Sequence, residues 1–257
     1  MTNTAPPLAE GLTENLVLGG RVTLRQPRRG YRAGLDAALL AAACDARDGE
    51  RVIEAGCGVG GALLPAAVRR PGARFVGVER DAVALDLARQ NIALNGLEGR
   101  VSVVSGDAGR PFGELGQPPF DLAMANPPFF DDPETLRAPS PEKAGAWMAD
   151  DGFAAWAAFL LKSVRAGGRI HVIHRADRLG DILRTLGEGA GSFQIRPVHP
   201  FADAPAKRVL VRAVKSGRAP LRLLPPLVVH PRTGEEKHTR EAETVLRGEA
   251  PLDWAAR

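Results

Sequence analysis

The chain has 257 residues and a formal net charge of +4, from 34 lysine and arginine residues against 30 acidic residues. Apolar residues make up 44% of the sequence, which suits one globular domain with modest extensions and excludes a disordered chain. The sequence has only two cysteines, which argues against a disulfide scaffold and a cysteine-based zinc site. It has no apolar run near the roughly 20 residues of a membrane span, which argues against a membrane protein. Its first residues lack the basic-then-apolar order of a signal peptide, which argues against a secreted protein. We therefore expect a cytoplasmic protein with no membrane partner.

The first part of the chain predicts a small hairpin followed by a helix. Residues 1–12 are rich in proline, threonine and alanine without periodicity, and we expect a disordered tail there. Within residues 13–50, apolar and polar residues alternate on both sides of Gly19-Gly20, as in two strands joined by a tight turn. The apolar stretch Ala37–Cys44 predicts a short helix with Asp36 as its N-cap.

From residue 51 onward, strand-like and helix-like segments alternate at short intervals. The predicted strands are Val52–Ala55, Arg74–Glu79, Val101–Val104, Asp121–Ala125 and Arg169–Ile173. The predicted helices are Gly61–Arg70, Asp81–Leu94, Phe153–Val164 and Asp177–Leu186. Such alternation gives right-handed crossovers and a buried parallel sheet. Two later strand-like segments, Ser192–Val198 and Arg208–Val214, predict a hairpin at one sheet edge.

The predicted fold is therefore α/β. It is a Rossmann-like, seven-stranded, mostly parallel sheet with an antiparallel edge hairpin, preceded by the N-terminal hairpin. We assign residues 51–216 to this domain and residues 217–257 to a C-terminal extension. The extension contains a strand-like segment, Leu221–His230, and a short helix, Thr239–Arg247.

A glycine-rich turn follows the first predicted strand of the sheet. Gly56, Gly58 and Gly60 stand between that strand and a helix, where the absence of Cβ atoms lets the backbone approach a ligand closely. Glu79 ends the second strand, nineteen residues after Gly60. At this spacing a carboxylate can accept hydrogen bonds from both ribose hydroxyls of an adenosine group. The alternative, a tight turn beside an unrelated surface glutamate, is less favoured by the spacing.

The acidic residue before the turn distinguishes between adenosine cofactors. Glu54 would repel the pyrophosphate of a dinucleotide, whose sites use the pattern G-x-G-x-x-G, but it suits a cationic ligand with an α-amino group, such as S-adenosylmethionine. Asp107, which follows the third strand together with Ala108, can accept a hydrogen bond from the adenine amino group; a simple turn residue is the alternative. These residues predict S-adenosylmethionine as the cofactor.

The fourth strand runs into the tetrapeptide Asn126-Pro127-Pro128-Phe129. Open parallel sheets bind ligands beyond the carboxyl ends of their strands, which is where this segment lies. The side-chain oxygen of Asn126 and the carbonyl of Pro127 can each accept one hydrogen of a planar amine, and Phe129 offers a face for stacking. We therefore predict Asn126, Pro127, Pro128 and Phe129 as the catalytic segment, with Asn126 also beside the cofactor. An ordinary Asn-Pro turn is the alternative.

Together, these motifs resemble those of class I S-adenosylmethionine-dependent methyltransferases with an NPP(Y/F) amine site. The resemblance covers about residues 21–214. Upstream of the glycine loop, Arg25-Gln26-Pro27 and the pattern from Tyr31 to Leu40 resemble the bacterial tRNA (adenine-N6)-methyltransferases that act on a valine tRNA. The stretch Arg218–Pro226 is similar to proteobacterial members of that group. Glu54 stands where many members have aspartate.

The resemblance implies an activity and further site residues. It implies methyl transfer to the exocyclic N6 of an adenine in tRNA, with the base extruded from its stack and held on Phe129. It also places Asp36 near the methionine end of the cofactor, and Tyr31 with Arg32 at the substrate entry, where simple packing is an equal alternative. The segment Asp131–Asp150 is either a polar lid or a disordered loop. The five histidines show no metal-ligand spacing, so we predict no metal site.

Two acid-free basic runs bear on the substrate. Five arginines lie between Leu16 and Leu35, and six basic residues lie between Lys207 and Arg222. The two runs form either one basic surface that binds a polyanion or two separate solvent-exposed faces. They favour RNA over a protein as the substrate. Protein glutamine N5-methyltransferases and rRNA guanine-N2 methyltransferases share the amine site and stay open as alternatives. A non-catalytic RNA-binding module is a further alternative, although such a module need not keep Asn126 and Glu79. The oligomeric state is left open.

Overall fold

The computed structural model describes residues 11–29, 32–128 and 152–255. The chain begins with the expected antiparallel hairpin, in which β1 (Leu12–Val17) pairs with β2 (Val22–Pro27). Strand β1 includes Leu12, which the sequence placed at the end of the terminal tail. The turn carries Gly19 and Gly20 with φ of 64° and 86°, a left-handed conformation that glycine adopts without strain.

Helix α1 (Leu35–Ala43) follows the hairpin and begins earlier than the sequence predicted. The predicted N-cap, Asp36, is wrong: the cap position is Gly34, which makes no side-chain capping bond, and Asp36 lies within the first turn. An acidic residue in the first turn is favourable beside the positive end of the helix dipole. The sequence therefore predicts a helix start in this region correctly but places the N-cap two residues too late.

A nine-stranded sheet forms the centre of the described structure, in the order β10-β8-β9-β7-β6-β3-β4-β5, with β11 also pairing with β8. Every pairing is parallel except those of β9 with β7 and with β8, which confirms the mostly parallel sheet with an antiparallel edge hairpin. Seven strands were expected, and the two short outer strands arise from the single strand-like segment of the C-terminal extension. The strands are β3 (Arg51–Ala55), β4 (Arg74–Glu79), β5 (Val101–Ser105), β6 (Phe120–Ala125), β7 (Val164–Arg175), β8 (Ala190–His199), β9 (Arg208–Lys215), β10 (Arg222–Leu223) and β11 (Leu227–Val228).

Helices cover both faces of the sheet, so that two buried hydrophobic clusters lie on its two sides. Helices α1, α2 and α3 pack on one face together with the hairpin and the C-terminal helix α6, and helices α4 and α5 pack on the other. None of the described helices is long and apolar enough to cross a membrane. The remaining helices are α2 (Leu63–Arg69), α3 (Ala82–Leu94), α4 (Gly152–Ser163), α5 (Leu179–Leu186) and α6 (Arg240–Arg247).

Asn91 of α3 and Asn95, the C-cap residue of that helix, attach the hairpin to the rest of the fold. The amide of Asn91 accepts from the backbone N–H of Arg25 at 2.9 Å and donates to the Arg25 carbonyl at 2.8 Å. Asn95, one helical turn later, makes the same pair of bonds to the backbone of Thr23. These amides therefore form hydrogen bonds with backbone N–H and C=O groups on one edge of β2, as a neighbouring strand would. Asn91 also donates to the carbonyl of Val59 at 2.9 Å, within the glycine-rich loop.

Side chains from distant elements hold the C-terminal extension by its backbone carbonyls. Arg21 donates to Arg247 and Gly248, and Arg69 donates to Val245 and Ala250. In the same region, the indole N–H of Trp254 donates to the carbonyl of Ala43 at the end of α1, at 2.7 Å. The extension is therefore an integral part of the core on the α1 side of the sheet.

A network of charged groups lies between α1 and the middle of the sheet. Asp45 pairs with Arg169 of β7 at 2.8 Å and with Arg212 of β9 at 3.0 Å, and Arg169 also pairs with Glu50. The ring of His171 is fully buried beside this network, 3.4 Å from Asp45. Burial lowers the pKa of His171 to about 4, against the pull of Asp45, and the nearby Arg212 and Arg169 lower it further. The folded protein therefore holds a neutral imidazole there near neutral pH.

We expect His171 to make the fold sensitive to mild acid. An unfolded histidine has a pKa near 6.5, whereas His171 in the folded protein has a pKa of about 4. Between these two pH values the unfolded chain is protonated at this residue and the folded chain is not. Stability is thus retained above pH 6.5 and lost as the pH falls towards 4. For this residue alone, the loss between about pH 8 and about pH 5.5 is on the order of 1 kcal/mol.

Urea unfolding of wild type and His171→Gln at these two pH values measures the effect. The variant should lose on the order of 1 kcal/mol less than wild type on acidification, whatever its stability at pH 8. An equal loss in the two proteins would show that His171 is not the titrating group.

Candidate active site

Four neighbouring strands of the sheet end at one edge and bring the predicted site segments together. Ala55, the last residue of β3, is in register with Val78 of β4 and with Ala125 of β6. Glu79, the last residue of β4, is in register with Ser105 of β5. The glycine loop, Glu79, the segment after β5 and the segment after β6 therefore begin at the same level of the sheet.

The glycine loop adopts a conformation that requires its glycines. Gly56, Gly58 and Gly60 have φ of 65°, 53° and 91°, values that residues with a Cβ rarely adopt. A Cβ at Gly60 would lie 3.2 Å from Leu64, whereas no described atom lies within 4 Å of the position a Cβ would take at Gly58. The middle of the loop is thus open to a ligand that packs closely on the backbone.

Glu79 holds the loop from the side. One of its carboxylate oxygens accepts from the backbone N–H of Gly58 at 2.9 Å, and the other accepts from Arg80 and Asp81 at 2.9 and 2.8 Å. A carboxylate has about four acceptor positions, so capacity for ligand hydroxyls is left. Asp81 in turn caps α3 by accepting from Ala84, which fixes the turn that carries Glu79.

Glu54 lies beneath the loop. Its side chain is buried and accepts a backbone hydrogen bond from Leu63, at the start of α2, while its Oε2 has no hydrogen-bond partner among the described residues. Burial, and then the nearby charge of Glu79, raise the pKa of Glu54 well above its ordinary value. The carboxyl group therefore supports the loop and α2 from below, and its predicted contact with the cofactor amino group stays a prediction.

Asp107 lies at the same edge, two residues beyond the partner of Glu79. Its Oδ1 accepts from the backbone N–H of Gly109 at 2.8 Å, and its Oδ2 lies 3.7 Å from a guanidinium nitrogen of Arg80. The side chain is 37% exposed, and the neighbouring Ala108 is buried at 4%. This arrangement holds the turn and leaves the carboxylate accessible from the site.

Asn126 and Pro127 follow β6 directly and lie beside the first residue of the glycine loop. Asn126 is half-buried, Pro127 is buried and Pro128 is half-buried. Neither proline can donate through its backbone nitrogen, so the oxygens of this segment form an acceptor-rich surface. Phe129, the predicted stacking face, lies outside the described residues.

The predicted residues upstream of the loop are engaged in other contacts. Asp36 forms an ion pair with Arg208 at 2.8 Å. Arg32 donates to Thr13, Asn15 and Pro27 within the hairpin, at 2.7 to 2.9 Å, which is the packing alternative for this side chain. The segment still touches the site, because a Cβ at Gly61 would collide with Ala33. Tyr31 and the segment 131–150 lie outside the described residues.

The topology divides the second basic run between two ends of the sheet. Because β9 is antiparallel to β7, its first residue, Arg208, lies opposite Arg175 at the edge that carries the site. Its last residue, Lys215, lies at the other end and donates to the carbonyl of Val164. In the first run, Arg21 and Arg25 are engaged by Gly248 and Glu14. The second run is therefore divided between the two ends of the sheet.

One side chain of the site was not predicted from the sequence. A Cβ at Gly56 would lie 2.5 Å from Cη2 of Trp156, so the indole of this α4 residue packs directly on the first glycine of the loop. The sequence signalled only an apolar helix over this region. A tryptophan three residues after Phe153 looks like part of that helix's core face, and nothing local shows that it reaches the loop.

These residues fit an adenosine cofactor with a cationic methionine group. The left-handed glycine loop is open at Gly58, Glu79 presents carboxylate oxygens beside it, and Asp107 offers a partly exposed carboxylate at the same edge. Asn126 directly follows the β6 residue that is paired with Ala55, so its backbone is next to that of Gly56.

Known proteins with related sequences and structures have this architecture. Residues 32–139 match the family model of the methyltransferase small domain, a range that includes the glycine loop, Glu79 and Asn126. The chain is 26% identical to a predicted O-methyltransferase of Agrobacterium tumefaciens, protein Atu636, whose crystal structure gives a TM-score of 0.71 and covers 86% of this chain and 99% of that one.

Two curated relatives differ in how much of their length they share with this chain. The release factor glutamine methyltransferase of Chlorobaculum tepidum is 30% identical over 61% of this chain, and the chain spans 56% of that relative's length. The tRNA1(Val) (adenine(37)-N6)-methyltransferase of Porphyromonas gingivalis (strain ATCC 33277) is 30% identical over 227 residues, which are 83% of this chain and 87% of that relative. The chain therefore belongs to the family of class I S-adenosylmethionine-dependent methyltransferases that includes the tRNA1(Val) (adenine(37)-N6)-methyltransferases.

Proposed function

We propose that the protein transfers the methyl group of S-adenosylmethionine to the exocyclic N6 amino group of an adenine in tRNA. The observation that carries this proposal is the pairing of β3 with β6, which sets Asn126 and Pro127 directly beside the glycine loop. A cofactor cradle alone serves many reactions. A cradle with adjacent acceptors for the two hydrogens of an amine serves N-methylation.

In this proposal, the cofactor lies along the edge formed by the ends of β3, β4 and β5. The backbone of Gly56, Gly58 and Gly60 contacts its methionine part, Glu79 accepts from the ribose hydroxyls, and Asp107 accepts from the adenine amino group, with Ala108 packed beside it. We also assign Glu54 and Asp36 to the methionine end, where Glu54 supports the loop from below and Asp36 is joined to Arg208.

The amine site follows from the acceptors after β6. The side-chain oxygen of Asn126 and the carbonyl of Pro127 each accept one hydrogen of the amine, which raises electron density on its nitrogen and directs the lone pair towards the loop. When bound, S-adenosylmethionine supplies a methyl group on a positively charged sulfur. Held by the glycine loop and Glu79, the cofactor would give this methyl group to the amine nitrogen, and its sulfur would keep the electron pair of the bond that breaks. The nitrogen then releases a proton to water, so alignment is the main requirement.

The extruded base needs a flat surface and an entry. We assign the stacking surface to Phe129 and the entry to Tyr31 and Arg32, because a base that undergoes chemistry must leave its stack. Arg32 would act there through the hairpin that it ties together.

Two observations support tRNA over a protein glutamine, whose side-chain amide also presents an NH₂ group. The tRNA-modifying relative shares 87% of its length with this chain, against 56% for the glutamine methyltransferase. The sequence is also basic, with a net charge of +4, which favours a polyanionic partner.

Labelled methyl transfer to total tRNA from cells that lack this activity tests the proposal, followed by analysis of the nucleosides. We expect labelled N6-methyladenosine. A labelled guanosine would move the protein to guanine-N2 methylation, and label found in a glutamine-bearing protein but not in RNA would move it to glutamine N5-methylation. Absence of transfer to any of these, with cofactor bound, would favour the non-catalytic binding module.

Glu79→Ala should weaken cofactor binding more than it slows the bound enzyme. The change removes acceptors for the ribose hydroxyls and the bond that holds Gly58. Hydrogen bonds to charged groups contribute about 1.5–3 kcal/mol, so we expect the Kd to rise about ten- to a hundredfold. Calorimetric titration with S-adenosylmethionine measures this. Glu98→Ala, a change of an exposed glutamate near the end of α3, is the matched control, and an unchanged Kd in Glu79→Ala would refute the ribose assignment.

Asn126→Ala should have the opposite effect. It removes one amine acceptor but leaves the loop and Glu79 in place, so turnover should fall by about a hundredfold or more, as expected when a reacting group is misaligned. The Kd for the cofactor should stay within about threefold, because less than about 1 kcal/mol of binding is at stake. Single-turnover transfer and calorimetry separate the two effects. Gln90→Ala, at an exposed position of α3, controls for the loss of an amide, and wild-type turnover in Asn126→Ala would contradict the assigned role.

A further inference from the structure

We propose that Trp156 of α4 is a site residue of the methyl-transfer reaction, whose indole forms one wall of the gap between the glycine loop and Asn126. The inference rests on the proposed function, because the gap matters only if a methyl group crosses it. It adds a residue from a part of the chain that carries none of the recognised motifs.

The position of the gap follows from the register of the sheet. Ala55 and Ala125 are paired across β3 and β6, so Gly56 and Asn126 are the first residues beyond a paired position on adjacent strands. Neighbouring strands lie about 4.8 Å apart. A group bound against Gly56 and an amine bound by Asn126 are therefore close neighbours, and any side chain that reaches Gly56 also borders the space between them.

The indole of Trp156 reaches that point. Three atoms of its six-membered ring, Cη2, Cζ3 and Cζ2, lie 2.5, 3.2 and 3.6 Å from the position a Cβ would take at Gly56. The φ of 65° at Gly56 turns this vacant position towards α4. Gly58, by contrast, has no described atom within 4 Å of its Cβ position. The loop thus has one end covered by an indole and a middle that is open to ligand.

The surroundings of Trp156 differ from those of its helical neighbours. Phe153, Ala157 and Leu160 form the stripe of α4 that is buried against the sheet, with exposures of 5%, 1% and 0%. Trp156 lies beside this stripe but is only half-buried, and it packs against the edge of the hydrophobic cluster. Part of a large aromatic surface is therefore left uncovered, and its burial by a ligand would be favourable.

The shape of the indole suggests what it contributes. Its rigid ring limits how deeply an amine can enter beyond Asn126, and its apolar edge keeps water from the reacting atoms. An alanine there would leave a void that lets both reactants drift. Because a misplacement of about 1 Å can slow a reaction by about a hundredfold, this contact should affect turnover more than affinity.

Fluorine NMR of the full chain labelled with 5-fluorotryptophan tests the contact without relying on activity. The three tryptophans, Trp147, Trp156 and Trp254, give three resonances that single phenylalanine variants assign. On titration with S-adenosylmethionine, the Trp156 resonance should shift with the Kd measured by calorimetry. The Trp254 resonance should stay in place, because that indole is bonded to Ala43 on the α1 side of the sheet. A Trp156 resonance that does not move at saturation would overturn the inference.

Kinetics of two substitutions complete the test. Trp156→Ala should lower kcat by about tenfold or more with a smaller change in the KM for the cofactor, and Trp156→Phe should recover most of the loss. Trp254→Phe, which replaces a tryptophan outside the site, should keep the wild-type kcat at a temperature where it is folded. If Trp156→Ala is folded and turns over like wild type, the inference fails while the proposed function stands. If wild type shows the resonance shift but methylates no RNA, the proposed substrate fails while the contact stands.

Discussion

The pairing of β3 between β4 and β6 is the constraint on which the site depends. Because the three strands are parallel and in register, each delivers its following segment to the same edge at the same level. The segments are the loop from Gly56 to Gly60, the carboxylate of Glu79 and the amide of Asn126. A slip of one residue in either pairing would turn Glu54 towards the opposite face and separate the acceptor amide from the loop. Cofactor recognition and amine recognition are therefore both consequences of one hydrogen-bonding register.

This register requires two unfavourable features, a left-handed backbone in the glycine loop and a buried carboxyl group, and other contacts offset their cost. Three alternate residues of the loop, all glycines, have a left-handed backbone, and the carboxyl group of Glu54 is buried close to them in the sequence. The loop is held by Glu79 through Gly58 and by Asn91 through the Val59 carbonyl. The buried carboxyl group of Glu54 is tolerated because its raised pKa favours the neutral form and because Leu63 donates a hydrogen bond to it. Rigidity at the loop thus comes from α3 and β4 rather than from the loop itself.

Local patterns predicted most elements, but not the contacts between them. The bounds of β4 and the end of α3 at Leu94 follow from residues within a few positions of each other, and the structure has both. The ion pair of Asp36 with Arg208 joins residues 172 positions apart, and the reach of Trp156 to the loop depends on how α4 lies on the sheet. Asn91 is equally hidden, since a polar residue inside a helix gives no sign that its partner is a strand 66 positions away. The sequence could therefore identify the edge of the sheet where the site lies. It could not identify the side chains from distant elements that support or border that site.

The attachment of the C-terminal extension has a consequence for the order in which the protein can be completed during synthesis. Its partners lie far upstream in the chain: Trp254 bonds to Ala43, 211 positions earlier, and Arg247 bonds to Arg21, 226 positions earlier. Contacts of such long sequence separation close late, and chains fold progressively from the amino end as they leave the ribosome. The hairpin and α1 must therefore wait, with their apolar surfaces incompletely covered, until residues near 254 have emerged. While the sheet is being translated, the hairpin and α1 are thus exposed to aggregation and to chaperones.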